Sequence, residues 1–358
     1  MRKSIIILLF ALISIPIPIN AQNKLTVHSE SIDSLFTWFN NGSPANGVPY
    51  LLKIPANQIM EQLLFDREKD VSAFSDALIR FKDKYPLPEN DYLLNDAYNN
   101  RHQISILKDL LIEFTLENQP MEYVKGFFPA DFNPSSQYDI YFTATGWKWG
   151  DAMAFIYSKN GENLFLSDEG TAAIIFNLTI VASTYGKTIE KQTASYKKVL
   201  IHELFHAFLN DYIAGKNYYT PEEIESNTLF MLMNEGIAHY IADCDYIKDN
   251  YETLKEKELH SFYLFNENAK IIFDRNKDEK IRSSALENGL FGPYWDKYIC
   301  MTGMFMAYRI HQHGGQELLQ DCIANGSDYF IIKYNEICNS EKHLPQLTEI
   351  INQFLVKR

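Results

Sequence analysis

The stretch Val199–Phe208, VLIHELFHAF, decides the reading of this 358-residue chain. Apolar spacing makes it part of one helix running from Ser195 to Tyr212. His202 and His206 stand four apart, so at 3.6 residues per turn they share a face, about 6 Å apart along the axis. Two imidazoles so placed can each aim a nitrogen at one cation about 2 Å away. Glu203 sits one step around the helix. That offset suits it less to ligation than to taking a proton from a water beside the cation. This is the mechanical content of the HExxH pattern. The plain alternative is a helix that happens to carry two histidines.

A zinc hydrolase needs three protein ligands and one open position. Working outward, Met233–Tyr240 (MNEGIAHY) offers Glu235, with room after His206 for a helix end, a loop and a second helix crossing the first. Gly236 costs a helix about 1 kcal/mol, which suggests a packing reason such as close helix approach near a metal. The plain alternative is an ordinary exposed glutamate on an amphipathic helix.

His202-Glu203-x-x-His206 followed by Asn234-Glu235-Gly236-x-Ala238 resembles the gluzincin metallopeptidases. The second part is similar to the NEG-x-A segment of their aminopeptidase branch, and the pair also looks like secreted bacterial families of zinc-dependent peptidases. The resemblance covers about Tyr138 to Gly315. It implies a thermolysin-like catalytic core and one zinc ion held by His202, His206 and Glu235, with Glu203 as base. Some gluzincins carry an acidic residue four positions after the ligand glutamate to orient a zinc histidine; here that position is His239. Ligand histidines need such outer partners, and Asp243 or Asp211 is available for the role. His239 is itself an outer partner, a rival ligand or a plain helix residue. The resemblance also implies a tyrosine or histidine further on that stabilises the oxyanion. Tyr294 and Tyr298, in GPYWDKY, sit at a similar interval; each is otherwise a packing tyrosine. Gly150–Ala154 (GDAMA) falls where a substrate-facing edge strand is expected.

Elsewhere the pattern is coarser. Val71, Phe74, Leu78 and Phe81, then Ile104, Leu107, Leu111 and Phe114, recur at helical steps, with Pro86 and Pro88 between them. Tyr138–Thr145, Leu164–Leu166 and Thr171–Ser183 read as strands of a small antiparallel sheet. Thr220-Pro221-Glu222-Glu223 is a capping box opening a helix. Tyr298–Gly314 is an apolar helix that Gly314-Gly315 stops. Cys244, Cys300, Cys322 and Cys338 show no CxxC spacing and are either buried thiols or one or two bridges.

Arg2-Lys3, the apolar run from Ile5 to Leu12 and the small Ala21 read as an export signal cut after Ala21. The run is too short and too rich in proline for a spanning helix. The net charge of −13, with no basic stripe, argues against nucleic acid and anionic membrane surfaces as partners. Hydrophobic residues at 46% and charged residues at 22% suit a folded chain.

The expectation is therefore an α+β, mostly α protein. Its parts are a signal (1–21), a helical N-terminal region (22–120) and a catalytic domain (121–358), in which a sheet and the HExxH helix run to about 215 and a helical subdomain follows. The expected function is an exported zinc peptidase acting on peptides or proteins and free of stable membrane insertion once the signal is removed. The alternatives are a non-catalytic binding or sensory protein on a peptidase-like fold, or a zinc hydrolase of another bond.

Overall fold

The structure, a computed structural model, describes residues 24–67, 71–116, 119–135, 137–148, 150–214 and 223–357. The export signal, and all of the capping box except Glu223, lie outside the described residues. Among the described residues no helix is long and apolar enough to cross a membrane.

A five-stranded sheet positions the site. Strands β1 (Lys24–His28), β2 (Gln137–Thr143), β3 (Ala152–Asn160), β4 (Asn163–Leu166) and β5 (Thr171–Asn177) stand in the order β1-β2-β5-β3-β4. β1 pairs parallel with β2 and β2 parallel with β5; only β3 runs antiparallel, to both β5 and β4. The sheet is thus mixed rather than antiparallel. Parallel neighbours need a long crossover. For β1 and β2 it is the helical stretch α1 (Glu30–Asn40), α2 (Val48–Leu51), α3 (Pro55–Arg67), α4 (Phe74–Lys84), α5 (Leu94–Asn99), α6 (Arg101–Thr115) and α7 (Gln119–Lys125). The periodic residues behave as their spacing predicts. Phe74, Leu78 and Phe81 are buried on α4, and Ile104, Leu107 and Leu111 on α6.

The apolar run Thr171–Ser183 is not one strand. It splits into β5 and helix α8 (Leu178–Thr184) at Asn177, whose side chain accepts a hydrogen bond from the Thr179 N–H at 3.1 Å and caps the helix. Helix α9 (Ile189–Ile213) follows and lies against the sheet. Its Tyr196 ring meets Phe176 of β5 at 4.7 Å, its Phe208 meets Tyr138 of β2 at 5.0 Å, and its Phe205 meets Phe128 at 5.3 Å. Each such buried ring contributes about 1.5–3 kcal/mol of transfer free energy, which fixes the rotation of α9 and so the direction of its polar residues.

Three helices complete the fold before the short α13 (Glu349–Val356): α10 (Ile224–Ile272), α11 (Glu279–Leu290) and α12 (Tyr298–Ser340). α10 departs from helical geometry at Asp243, and α12 at Gly315 and Gly326. The predicted stop at Gly315 is therefore a break, after which the helix resumes. α10 and α12 touch at backbone level. A Cβ on Gly236 would lie 2.4 Å from the Gly303 Cα, and one on Gly303 would lie 1.9 Å from the Leu232 carbonyl oxygen. Gly236 thus has a packing role, as its helix cost suggested, but the helix it meets is α12 and not the HExxH helix. All four cysteines are buried free thiols.

Candidate active site

α9 and α10 run side by side in opposite directions. Lys198 of α9 pairs with Asp243 of α10 at 2.5 Å, and eight residues on His206 meets Asn234 at 2.9 Å. Between these ties, His202 and His206 present their Nε2 atoms 2.9 Å apart. Glu235 faces both, with Oε2 3.4 Å from His202 Nε2 and Oε1 3.4 Å from His206 Nε2. Ligands at 2.0–2.1 Å in a tetrahedral zinc shell lie about 3.3 Å from one another. Two nitrogens and a carboxylate at these separations therefore fit zinc in both chemistry and spacing. The three side chains keep between 12 and 23% of their surface exposed, and all line one cavity of about 870 Å³.

Electrostatics match the spacing. Burial works to raise the Glu235 pKa, but the two histidines hold it well below the usual carboxylate range. Burial works to lower the His206 pKa, and the Glu235 carboxylate beside it brings it up to about 9. Like and unlike charges are thus packed where a divalent ion would balance them. Asn234 Oδ1 can only accept, so His206 Nδ1 donates to it, which leaves Nε2 as the nitrogen a metal would take. Asn234, quoted in the sequence only as part of a motif, supplies the outer contact sought from Asp243 or Asp211. Asp211 is bound elsewhere, accepting from Ser135 and Tyr138.

Glu203 is only 8% exposed. Burial raises its pKa; the nearby histidines oppose this, and the carboxylates of Glu235 and Asp151 add to it. Its Oε2 accepts the backbone N–H of Ala154 at 2.7 Å. That contact places the carboxylate against the edge of β3. Asp151 turns its carbonyl toward β5, where it accepts from Asn177 N, so by strand alternation Ala152 and Ala154 turn theirs outward. β4 covers β3 only from Tyr157 to Asn160. The Ala152–Ala154 edge therefore faces the cavity, as the GDAMA segment was expected to do.

The remaining residues divide. His239 lines the cavity, its ring edge-on to His202 at 4.5 Å and to Tyr294 at 5.5 Å. Burial, then the neighbouring His202, depresses its pKa and keeps the ring neutral. Its ligand nitrogen, a Glu235 oxygen and the Cys300 sulfur lie within 4.8 Å of one another. Asp243 sits at the break in α10, where it accepts from Lys198 and, at 2.7 Å, from Tyr294. Tyr294 lines the cavity. Tyr298 is not on the cavity wall; it is buried, with its hydroxyl donated to the Ala285 carbonyl.

No curated protein and no solved structure matches the chain. A family model does, over residues 50–343, which include both site helices and most of the sequence. The chain belongs to the family described as "Putative zinc dependent peptidase (DUF5700)".

Proposed function

We propose that the protein is an exported, gluzincin-type zinc peptidase with Glu203 as general base. The observation that carries this reading is the convergence of His202, His206 and Glu235, from two helices, at 2.9–3.4 Å, with Glu203 beside them and one side open to a cleft. One zinc ion bound there would supply a Lewis acid for the scissile carbonyl and acidify water towards a pKa of about 7.

The chain's own residues supply the rest. The outward C=O groups of Ala152 and Ala154 accept from an extended peptide and align it, while the Ala154 N–H stays with Glu203 and the Ala152 N–H with Asp151. Glu203 takes the proton of the attacking water on its carboxylate and hands it to the departing amine nitrogen; its raised pKa suits both halves of that task. Asn234 holds the His206 ring in place. Of the two candidate tyrosines only Tyr294 stands on the cavity wall. It is the donor proposed for the developing oxyanion, and it must release Asp243 to act. Export rests on the basic, then apolar, first 21 residues. Asp243 serves as anchor for Lys198 and Tyr294.

Glu203→Gln should keep stoichiometric zinc by elemental analysis while peptide cleavage falls by about 10²–10⁴-fold; His206→Ala should lose the metal itself. An undiminished rate in Glu203→Gln would reject the assignment. His239 and Cys300 beside Glu235 favour one other reading, a structural zinc closed by a fourth protein ligand. That reading requires zinc without cleavage in the unaltered protein.

A further inference from the structure

The cleft continues past His202 and His206 in both directions. On α9 its wall runs from Ser195 to Asn210, about 22 Å at 1.5 Å per residue, with the two histidines near the middle. On α10 it runs from Ile224 to Asp243, in the opposite sense. An extended peptide rises about 3.3 Å per residue, so the groove has room for about six residues, three on each side of the reacting bond. The edge of β3 is uncovered only ahead of Tyr157, and there the Ala152 and Ala154 carbonyls give the chain two pairing points beside Glu203.

An exopeptidase needs the reverse: a wall close to the reacting bond, or a free charge that grips a chain terminus. Among the described residues, the buried and half-buried acidic groups near the site, apart from Glu203 and Glu235, already accept hydrogen bonds or pair with a cation that an α-ammonium would have to displace or share. Asp151 accepts from Tyr185 through one oxygen and from the Ala152 N–H through the other. In the resting site Asp243 gives one oxygen to Lys198 and the other to Tyr294, and once Tyr294 turns to the oxyanion the Lys198 ammonium still neutralises it. The same pairing occupies Lys198, which would otherwise hold an α-carboxylate. Glu287 and Lys297 remain on the wall; Glu287 is exposed to solvent, where water screens its charge.

We propose, building on the peptidase reading above, that the enzyme is an endopeptidase. It hydrolyses interior bonds of an extended chain with about three residues bound on each side, and it requires neither terminus.

The test uses the zinc-loaded mature protein and one peptide series of four to ten residues, each made with free ends, with an acetylated amino end, with an amidated carboxyl end, and with both. The expected result is an interior cut in the doubly blocked decapeptide, at a kcat/KM within about threefold of the free form. The rate should also rise about tenfold or more from four to six residues and then level off, as remote contacts are completed. A loss of about 100-fold on acetylation alone overturns the proposal in favour of an aminopeptidase. The same loss on amidation alone overturns it in favour of a carboxypeptidase and points to Lys297 as the anchor. Stepwise release of single residues overturns it as well. If no peptide is cut in any form, the peptidase reading itself falls; cleavage confined to chain ends leaves that reading standing and removes only this one.

Discussion

Residues Glu235 and Gly236 are neighbours on α10, yet their two faces are held in opposite ways. On the Glu235 side, α10 meets α9 through long polar side chains: Asn234 to His206, Glu235 to both histidines, Asp243 to Lys198. On the Gly236 side it meets α12 with no side chain between, Gly236 against Gly303. The first contact leaves side chains free to adjust around an ion. The second leaves nothing to adjust, because close-packed backbone cannot yield by changing a rotamer. The rigid face sets where the adjustable one stands.

The largest expected effect attacks the rigid face. Gly303→Val should lower the stability of the whole fold by more than about 3 kcal/mol, since the new branch would occupy the space of the Leu232 carbonyl. Urea unfolding of the zinc-free protein measures this, and an unshifted midpoint would show that α10 and α12 can separate. The adjustable face should respond more mildly. Asn234→Ala removes the acceptor that orients His206 and should weaken zinc binding by about 10- to 100-fold without moving the urea midpoint comparably. Competition with a chelator of known affinity reads it.

The smallest effect sharpens the contrast with a polar cluster away from α10. Asp139 on β2 accepts from His28 of β1 at 2.9 Å and from Tyr157 of β3 at 2.5 Å. Burial works to raise its pKa, but these bonds and one from Gln137 bring it down to about 2 from an ordinary 3.8. A carboxyl depressed on folding stabilises the protein above its unfolded pKa and loses that contribution as pH falls through its folded one. Stability should therefore drop by roughly 1–2 kcal/mol between about pH 4 and pH 2. Asp139→Asn should flatten that slope in metal-free protein. An identical slope in the variant would place the acid sensitivity elsewhere.

How much of this was legible beforehand follows from the range over which each feature acts. The α9 histidine pair, Glu203, and the buried stripes of α4 and α6 are patterns within a few turns of one helix. Glu235 and the spacing role of Gly236 were readable because they fall in one short motif. The parallel pairing of β1, β2 and β5 joins segments about a hundred residues apart or bridges a hairpin, and no local alternation records it. The strand-to-helix switch at Asn177 lay hidden inside an unbroken apolar run, whose periodicity does not separate a buried strand from a buried helix. The Ala154 N–H that holds Glu203 is a backbone group, and every residue but proline has one. Tyr298 was placed on the site by its interval alone, and interval does not say which way a ring turns from its helix.

The seam at Gly236 and Gly303 also has a bearing on motion. Two helices in main-chain contact cannot rock about that crossing without collision, so around Gly236 and Gly303 α10 and α12 hold one relative position. The bank of the groove that carries Glu235 is therefore braced from behind by main chain, not by side chains.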